Sequence, residues 1–208
     1  MENDKIINRL IEHFDYKIYF EIGTIYKNDC FDYVNCKCKS NVSLEYKSQA
    51  DYFVDTDYYF SFFGKERKKD IIFIDNPKSY EQLLRDLDHS LYNINDNGVI
   101  LINKCLPKQK FKRDKNEELY IDCDCDIFKA WLYLRRTQDE LNMFIIDNLD
   151  EEDKTSCGIH NHGVGVIFKG EQKLLNIKDQ DITYDNLLKN KKKWMNTFTI
   201  NEFESKFI

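Results

Sequence analysis

The residues of this chain that could do chemistry stand at the ends of short apolar runs. Tyr19-Phe20-Glu21-Ile22-Gly23 closes on a carboxylate and a glycine, and a second carboxylate, Glu45, closes another run further on. At the carboxyl edge of a parallel sheet, a glycine lets the backbone approach a ligand and the next helix start offers N–H donors. An acid after the second strand can accept both hydroxyls of a ribose. The pairing therefore points to a pocket for an adenosine-bearing ligand. Asp75 ends the most apolar run, Asp70-Ile71-Ile72-Phe73-Ile74-Asp75, and its carboxylate is expected to face the same site. Plainer roles compete with these: Glu21 and Asp75 could cap helix starts, Glu45 could be a solvated strand end, and Asp57 an N-cap.

Seven cysteines, an odd number, read as mostly reduced thiols in a cytoplasmic protein. Cys36/Cys38 and Cys123/Cys125 could be gathered around zinc, but a one-residue spacing is not the usual knuckle. Cys157, His160 and His162 follow an acidic stretch and read as part of a surface loop. No metal is expected from these groups.

The elements that must position these residues alternate between strand and helix, the pattern of a layered α/β fold with a mainly parallel sheet. Ile6, Ile7, Leu10, Ile11 and Phe14 mark one face of a helix within 1–16. Strands are expected at 17–23, 41–45, briefly at 52–54, then at 70–75, 99–102 after an Asn97-Gly98 turn, 142–147 and 163–168. Helices are expected at 57–63, 79–93, 126–137, 187–194 and 202–207. The aromatics Tyr58, Tyr59, Phe60, Phe62 and Phe63 read as core and pocket wall. The Lys-rich stretch 107–122 reads as a mobile loop over the strand ends, and 148–162 as an acidic loop.

With 42% hydrophobic residues, 208 residues suffice for one domain spanning 1–208, without linker or repeat. Thirty-one basic against 37 acidic residues give a net charge of −6, which disfavours a nucleic-acid partner. No apolar run reaches the length of a membrane span, so no membrane partner is expected. Homo-oligomerisation stays open.

In order and spacing these segments resemble the class I S-adenosylmethionine-dependent methyltransferases, in particular a small O-methyltransferase-like branch associated with sugar and polysaccharide modification. The resemblance rests on Tyr19 to Gly23; on Asp70 to Asp75 with Tyr80-Glu81-Gln82-Leu83-Leu84-Arg85-Asp86; and on Asn97-Gly98-Val99-Ile100-Leu101-Ile102 with Cys105-Leu106-Pro107. It continues through Phe128-Lys129-Ala130-Trp131 with Leu134-Arg135, Gly163-Val164-Gly165-Val166-Ile167 and Tyr184 to Asn190. It implies a three-layer Rossmann-like fold whose seven-stranded, mainly parallel sheet has an antiparallel edge strand and holds S-adenosyl-L-methionine. By the same resemblance Glu21 and Gly23 line the methionine end, Glu45 takes the ribose, Asp57 lies near the adenine, and Asp75 sits where the acceptor meets the methyl group.

The departures from that pattern are specific. Lys27 stands where the family usually has a second glycine. Asp75-Asn76-Pro77-Lys78 replaces a common Asp-Gly-x-His, and Asn103-Lys104 replaces a common His-Asp. Two ammonium groups repel a divalent cation, so any methyl transfer is expected to be metal-free, with Asp75, Lys78 and Lys104 as the candidate catalytic groups. Two readings follow. One is an O-methyltransferase acting on a small hydroxylated acceptor, narrowed by resemblance alone to a carbohydrate; the other is a degenerate methyltransferase-fold scaffold. A nicotinamide dehydrogenase is disfavoured, because Glu21-Ile22-Gly23 lacks the three-glycine loop that cradles a pyrophosphate.

Overall fold

A computed structural model describes residues 2–45, 48–64, 67–75, 77, 79–106, 127–147 and 163–208. Seven strands form one sheet: β1 (Ile18–Ile22), β2 (Cys38–Val42), β3 (Lys69–Ile74), β4 (Ile94–Ile102), β5 (Leu141–Asp147), β6 (Val164–Lys169) and β7 (Thr197–Thr199). Their order is β2-β1-β3-β4-β6-β5-β7. The sheet is parallel except at β6, which runs antiparallel to both β4 and β5.

The helices are α1 (Asn3–Phe14), α2 (Thr56–Phe62), α3 (Tyr80–Asn93), α4 (Ile127–Thr137), α5 (Tyr184–Met195) and α6 (Ile200–Phe207). They cover both faces, because strands buried on both sides are apolar at successive positions. Phe20, Ile22, Ile72 and Ile74 pack with Tyr59 and Phe60 of α2, Leu83 and Leu87 of α3, Trp131 of α4 and Leu187 of α5. Tyr19, Ile71 and Phe73 point the other way, into a layer built from Ile6, Ile7 and Leu10 of α1 and Phe203 of α6. The expected three-layer architecture is therefore present.

Four differences from the sequence-based expectations have physical causes. The antiparallel strand is not at the edge, since β5 and the three-residue β7 extend the sheet beyond it. The strand expected at 41–45 lies at Cys38–Val42, its polar residues Cys38, Lys39 and Ser40 concealing it, so Glu45 falls three residues past its end. The expected third strand is reduced to one parallel bridge between Val42 and Tyr52.

The fourth difference concerns Asn97-Gly98, which lies inside β4 rather than in a turn before it. Register slips there, Lys69 pairing Ile94 while Ile71 pairs Val99. A Cβ on Gly98 would lie 2.7 Å from the Asp70 carbonyl oxygen and 2.6 Å from Ile94, so only glycine fits the irregular crossing. The expected loops at 107–122 and 148–162, and with them Cys123, Cys125, Cys157, His160 and His162, lie outside the described residues.

Candidate active site at the carboxyl edge of the sheet

Backbone pairing continues one step past the ends of three neighbouring strands. Gly23 N–H donates to the Val42 carbonyl at 2.8 Å, Asp75 N–H to Ile22 at 2.9 Å, and Asn103 N–H to Ile74 at 2.9 Å. These bonds set Gly23, Asp75 and Asn103 side by side along the carboxyl edge. Chain order reverses between β1 and β3, which makes this the topological switch point where α/β sheets bind ligands. Gly23 has φ of 90°, a left-handed conformation that a side chain would strain.

Glu21 stands beneath this edge and is almost wholly buried. Its Oε2 accepts from the Tyr19 hydroxyl at 2.5 Å and its Oε1 from the Thr24 hydroxyl at 2.6 Å. Burial first, and then the nearby Asp75 carboxylate, push its pKa up to about 7, against the pull of those two hydrogen bonds. Asp75 is half-buried at the edge, and its Oδ1 accepts from Asn103 Nδ2 at 2.9 Å. Burial raises its pKa too, opposed by the Asn103 bond and the charge of Lys104. Lys104 itself has a left-handed backbone, φ 61°, with its N–H donating to Asn103 Oδ1 at 2.9 Å.

The structure thus brings together Glu21, Gly23, Asp75 and Lys104 from the residues singled out in the sequence; Lys78 lies outside the described residues. Glu45 is half-buried in a turn beyond β2, its N–H donating to Ser43 Oγ and its carbonyl accepting from Ser48. Asp57 points elsewhere: His89 Nε2 lies 2.8 Å from its Oδ1 and Arg85 Nε 3.9 Å from its Oδ2, both on α3. Nor does Asp57 cap α2, because Asp55 accepts from the Tyr58 N–H at 2.7 Å in that role. His89 stacks on Phe60 with ring centroids 5.1 Å apart, a structural position.

Four contributors, Tyr19, Thr24, Asn41 and Asn103, are absent from the sequence-based expectations. Tyr19 is two residues before Glu21, so strand alternation places both side chains on one face, a signal available in the sequence. Thr24, Asn41 and Asn103 required the fold. The crossover after Gly23 holds no α-helix: two short 3₁₀ turns, 27–29 and 31–33, occupy it. Lys27, in place of the second glycine, is 2.6 Å from Asp51 and lies over the Phe31 ring. Among the described residues, no group of three or more His, Cys, Asp or Glu is arranged to hold a metal ion.

Does this edge suit S-adenosylmethionine? The left-handed Gly23 admits close backbone approach, and Asn41 Nδ2, paired in register with Glu21 on β2, is a buried donor without a partner. Both features suit a polar ligand at the ends of β1 and β2. Glu21, Gly23, Asn41 and Glu45 are the residues that would hold it.

No protein-family model and no curated protein matches the sequence. Solved structures do match in fold. Cofactor-bound Rv0187 from MTB superposes with a TM-score of 0.57 at 11% identity, over 81% of this chain and 80% of that one. The O-methyltransferase TomG from Streptomyces achromogenes, in complex with SAM, gives 0.54 at 9% identity over 81% and 79%. The O-methyltransferase from Bacillus cereus, in complex with SAH, gives 0.53 at 12% identity over 80% of each chain. At these identities the likeness establishes the fold alone. The chain has the fold of class I S-adenosylmethionine-dependent methyltransferases, with O-methyltransferases among its structural neighbours.

Proposed function

We propose that the chain is an S-adenosylmethionine-dependent O-methyltransferase acting on a small hydroxylated acceptor. The observation that carries this reading is the row Gly23, Asp75, Asn103 at the carboxyl edge, with the two coupled carboxylates Glu21 and Asp75 beside the switch point. Bound there, S-adenosylmethionine supplies an electrophilic methyl group. The protein's part is to align the acceptor oxygen and to take its proton. In this reading Asp75 takes that proton, supported by the burial that raises its basicity, the Asn103 bond to its Oδ1 and its half-buried position. Lys104 beside it suits an acceptor that develops or carries negative charge. A sugar or glycan precursor is the acceptor class we favour, on the sequence resemblance.

The test is transfer of labelled methyl from S-adenosylmethionine to a panel of sugars, nucleotide sugars and small phenols. Asp75→Asn should lower turnover at least ~10²-fold while cofactor affinity changes little, the signature of a positioned proton acceptor. One observation favours a second reading, a catalytically degenerate binding partner: the segment after Gly23 forms 3₁₀ turns pinned by Lys27–Asp51 instead of a helix aimed at the ligand. Cofactor binding with no transfer to any acceptor in the panel would support that alternative.

A further inference from the structure

At the opposite, amino-terminal edge of the sheet lies a cavity of about 220 Å³ whose lining includes Cys38, Ser40, Tyr59, Phe63, Arg67 and Lys69. It exists because β2 is covered only at its far end. Tyr52 exchanges backbone bonds with Asn41 and Ser43, and among the described residues no strand lies on that side of Cys38 to Ser40. The carboxyl end of α2 and the approach to β3 close the gap instead.

The chemistry of the walls is uneven. Cys38 and Ser40 stand on one face of β2, in register with Ile18 and Phe20. Tyr59 is buried, its phenol pushed up to about 12 by burial and held beside the Ser40 hydroxyl, so it is a neutral donor. Lys69 is only 6% exposed. Its ammonium donates to the carbonyls of Gly64 at 3.2 Å and Arg67 at 2.6 Å and sits 5.7 Å from the Phe20 ring centroid, and none of these partners is an anion. Arg67 adds a second cation close enough to be felt by the first. Lys39 also lines the cavity, but its ammonium bonds the carbonyls of Phe31, Asp32 and Val34 on the other face of the sheet. No carboxylate lines the cavity among the described residues. Among the described residues this buried ammonium has dipoles and a ring around it and no counter-charge. Two cations, two hydroxyls and two aromatic rings around one cavity describe a receptor for an oxyanion attached to a planar apolar body.

We propose that this cavity is a second ligand site, binding a phosphate monoester of a small aromatic compound, with the phosphate at Arg67 and Lys69 and the ring against the exposed Phe63. The site is separate from the carboxyl-edge site and does not rest on its assignment. In a chain of net charge −6 such a concentration of positive charge is local, so selectivity comes from the cavity itself.

Cys38 provides the readout. The probe is phenyl phosphate, and the measurement is alkylation of Cys38 by iodoacetamide, followed by peptide mass spectrometry on the full chain, with half-exposed Cys36 as internal control. Phenyl phosphate should slow alkylation of Cys38 and not of Cys36, and inorganic phosphate should compete with it. Arg67→Ala, an exposed position whose loss leaves the core intact, should weaken protection at least about tenfold, as should Lys69→Met. The proposal is overturned if millimolar phenyl phosphate leaves Cys38 unprotected, if phenol protects equally well, or if Arg67→Ala protects like the wild type.

Discussion

Asn103 Nδ2 donates to Asp75 Oδ1 at 2.9 Å, joining the ends of β4 and β3 at the candidate site. The bond matters twice. It holds the carboxylate in one orientation, and it favours the ionised form that a proton acceptor needs. Asn103→Ala should therefore raise the Asp75 pKa further and move the acidic limb of any pH–rate profile upward. Removing one partner of a charge-assisted bond at a half-buried carboxylate should also cost about 1 kcal/mol in stability. Chemical denaturation and a pH–rate profile check the two effects separately.

Glu21 gives the fold a pH dependence of defined sign. Its folded pKa of about 7 lies above the unfolded value of 4.5, so between these limits the unfolded chain has lost the proton that the folded chain retains. The contribution of Glu21 is full below about pH 4.5 and falls as pH rises toward 7, by an amount on the order of 3 kcal/mol for a shift of this size. Asp75 and Asp86, also raised by burial, add in the same direction. Denaturation midpoints measured from about pH 4.5 to 8 should decline for the wild type. They should decline less steeply for Glu21→Gln, which keeps the shape and discards the ionisation. An unchanged slope in Glu21→Gln would remove Glu21 as the cause.

Gly98→Ala tests the irregular β3–β4 crossing. The new methyl would meet the Asp70 carbonyl at 2.7 Å, and backbone cannot move aside as a side chain does. We expect a loss of about 1–3 kcal/mol, the usual scale for overpacking, read from thermal or denaturant unfolding. Wild-type stability in this variant would mean that β4 crosses β3 in a different register.

Much of the fold was legible because buried parallel strands announce themselves. Ile71 to Ile74 and Val99 to Ile102 are apolar at every position, and α1 and α3 repeat their apolar residues at helical spacing. What escaped was stabilised by context. β2 is a polar edge strand, so Asn41 to Glu45 looked more like a strand than Cys38 to Val42 does. β7 is three residues long and exists because β5 offers it an edge. Of the candidate site, the groups at or near the end of an apolar strand, Glu21 and Asp75, were legible as candidates. The site was not legible where a side chain acts through folding of distant segments: Asn103 reaches Asp75 across 28 positions, and Asp57 turns to His89 across 32.

Binding of an adenosyl ligand at the carboxyl edge of β1 and β2 is the expectation on which the proposed activity depends. Calorimetric titration of the purified chain with S-adenosylhomocysteine, with NAD as the control, tests it most directly. We expect saturable binding of S-adenosylhomocysteine, no heat from NAD, and affinity reduced at least about tenfold in Glu45→Ala, where the ribose would lose a charge-assisted acceptor. Absence of binding by the wild type, or equal binding by Glu45→Ala and by a bulky Gly23→Val, would contradict the assignment of this edge.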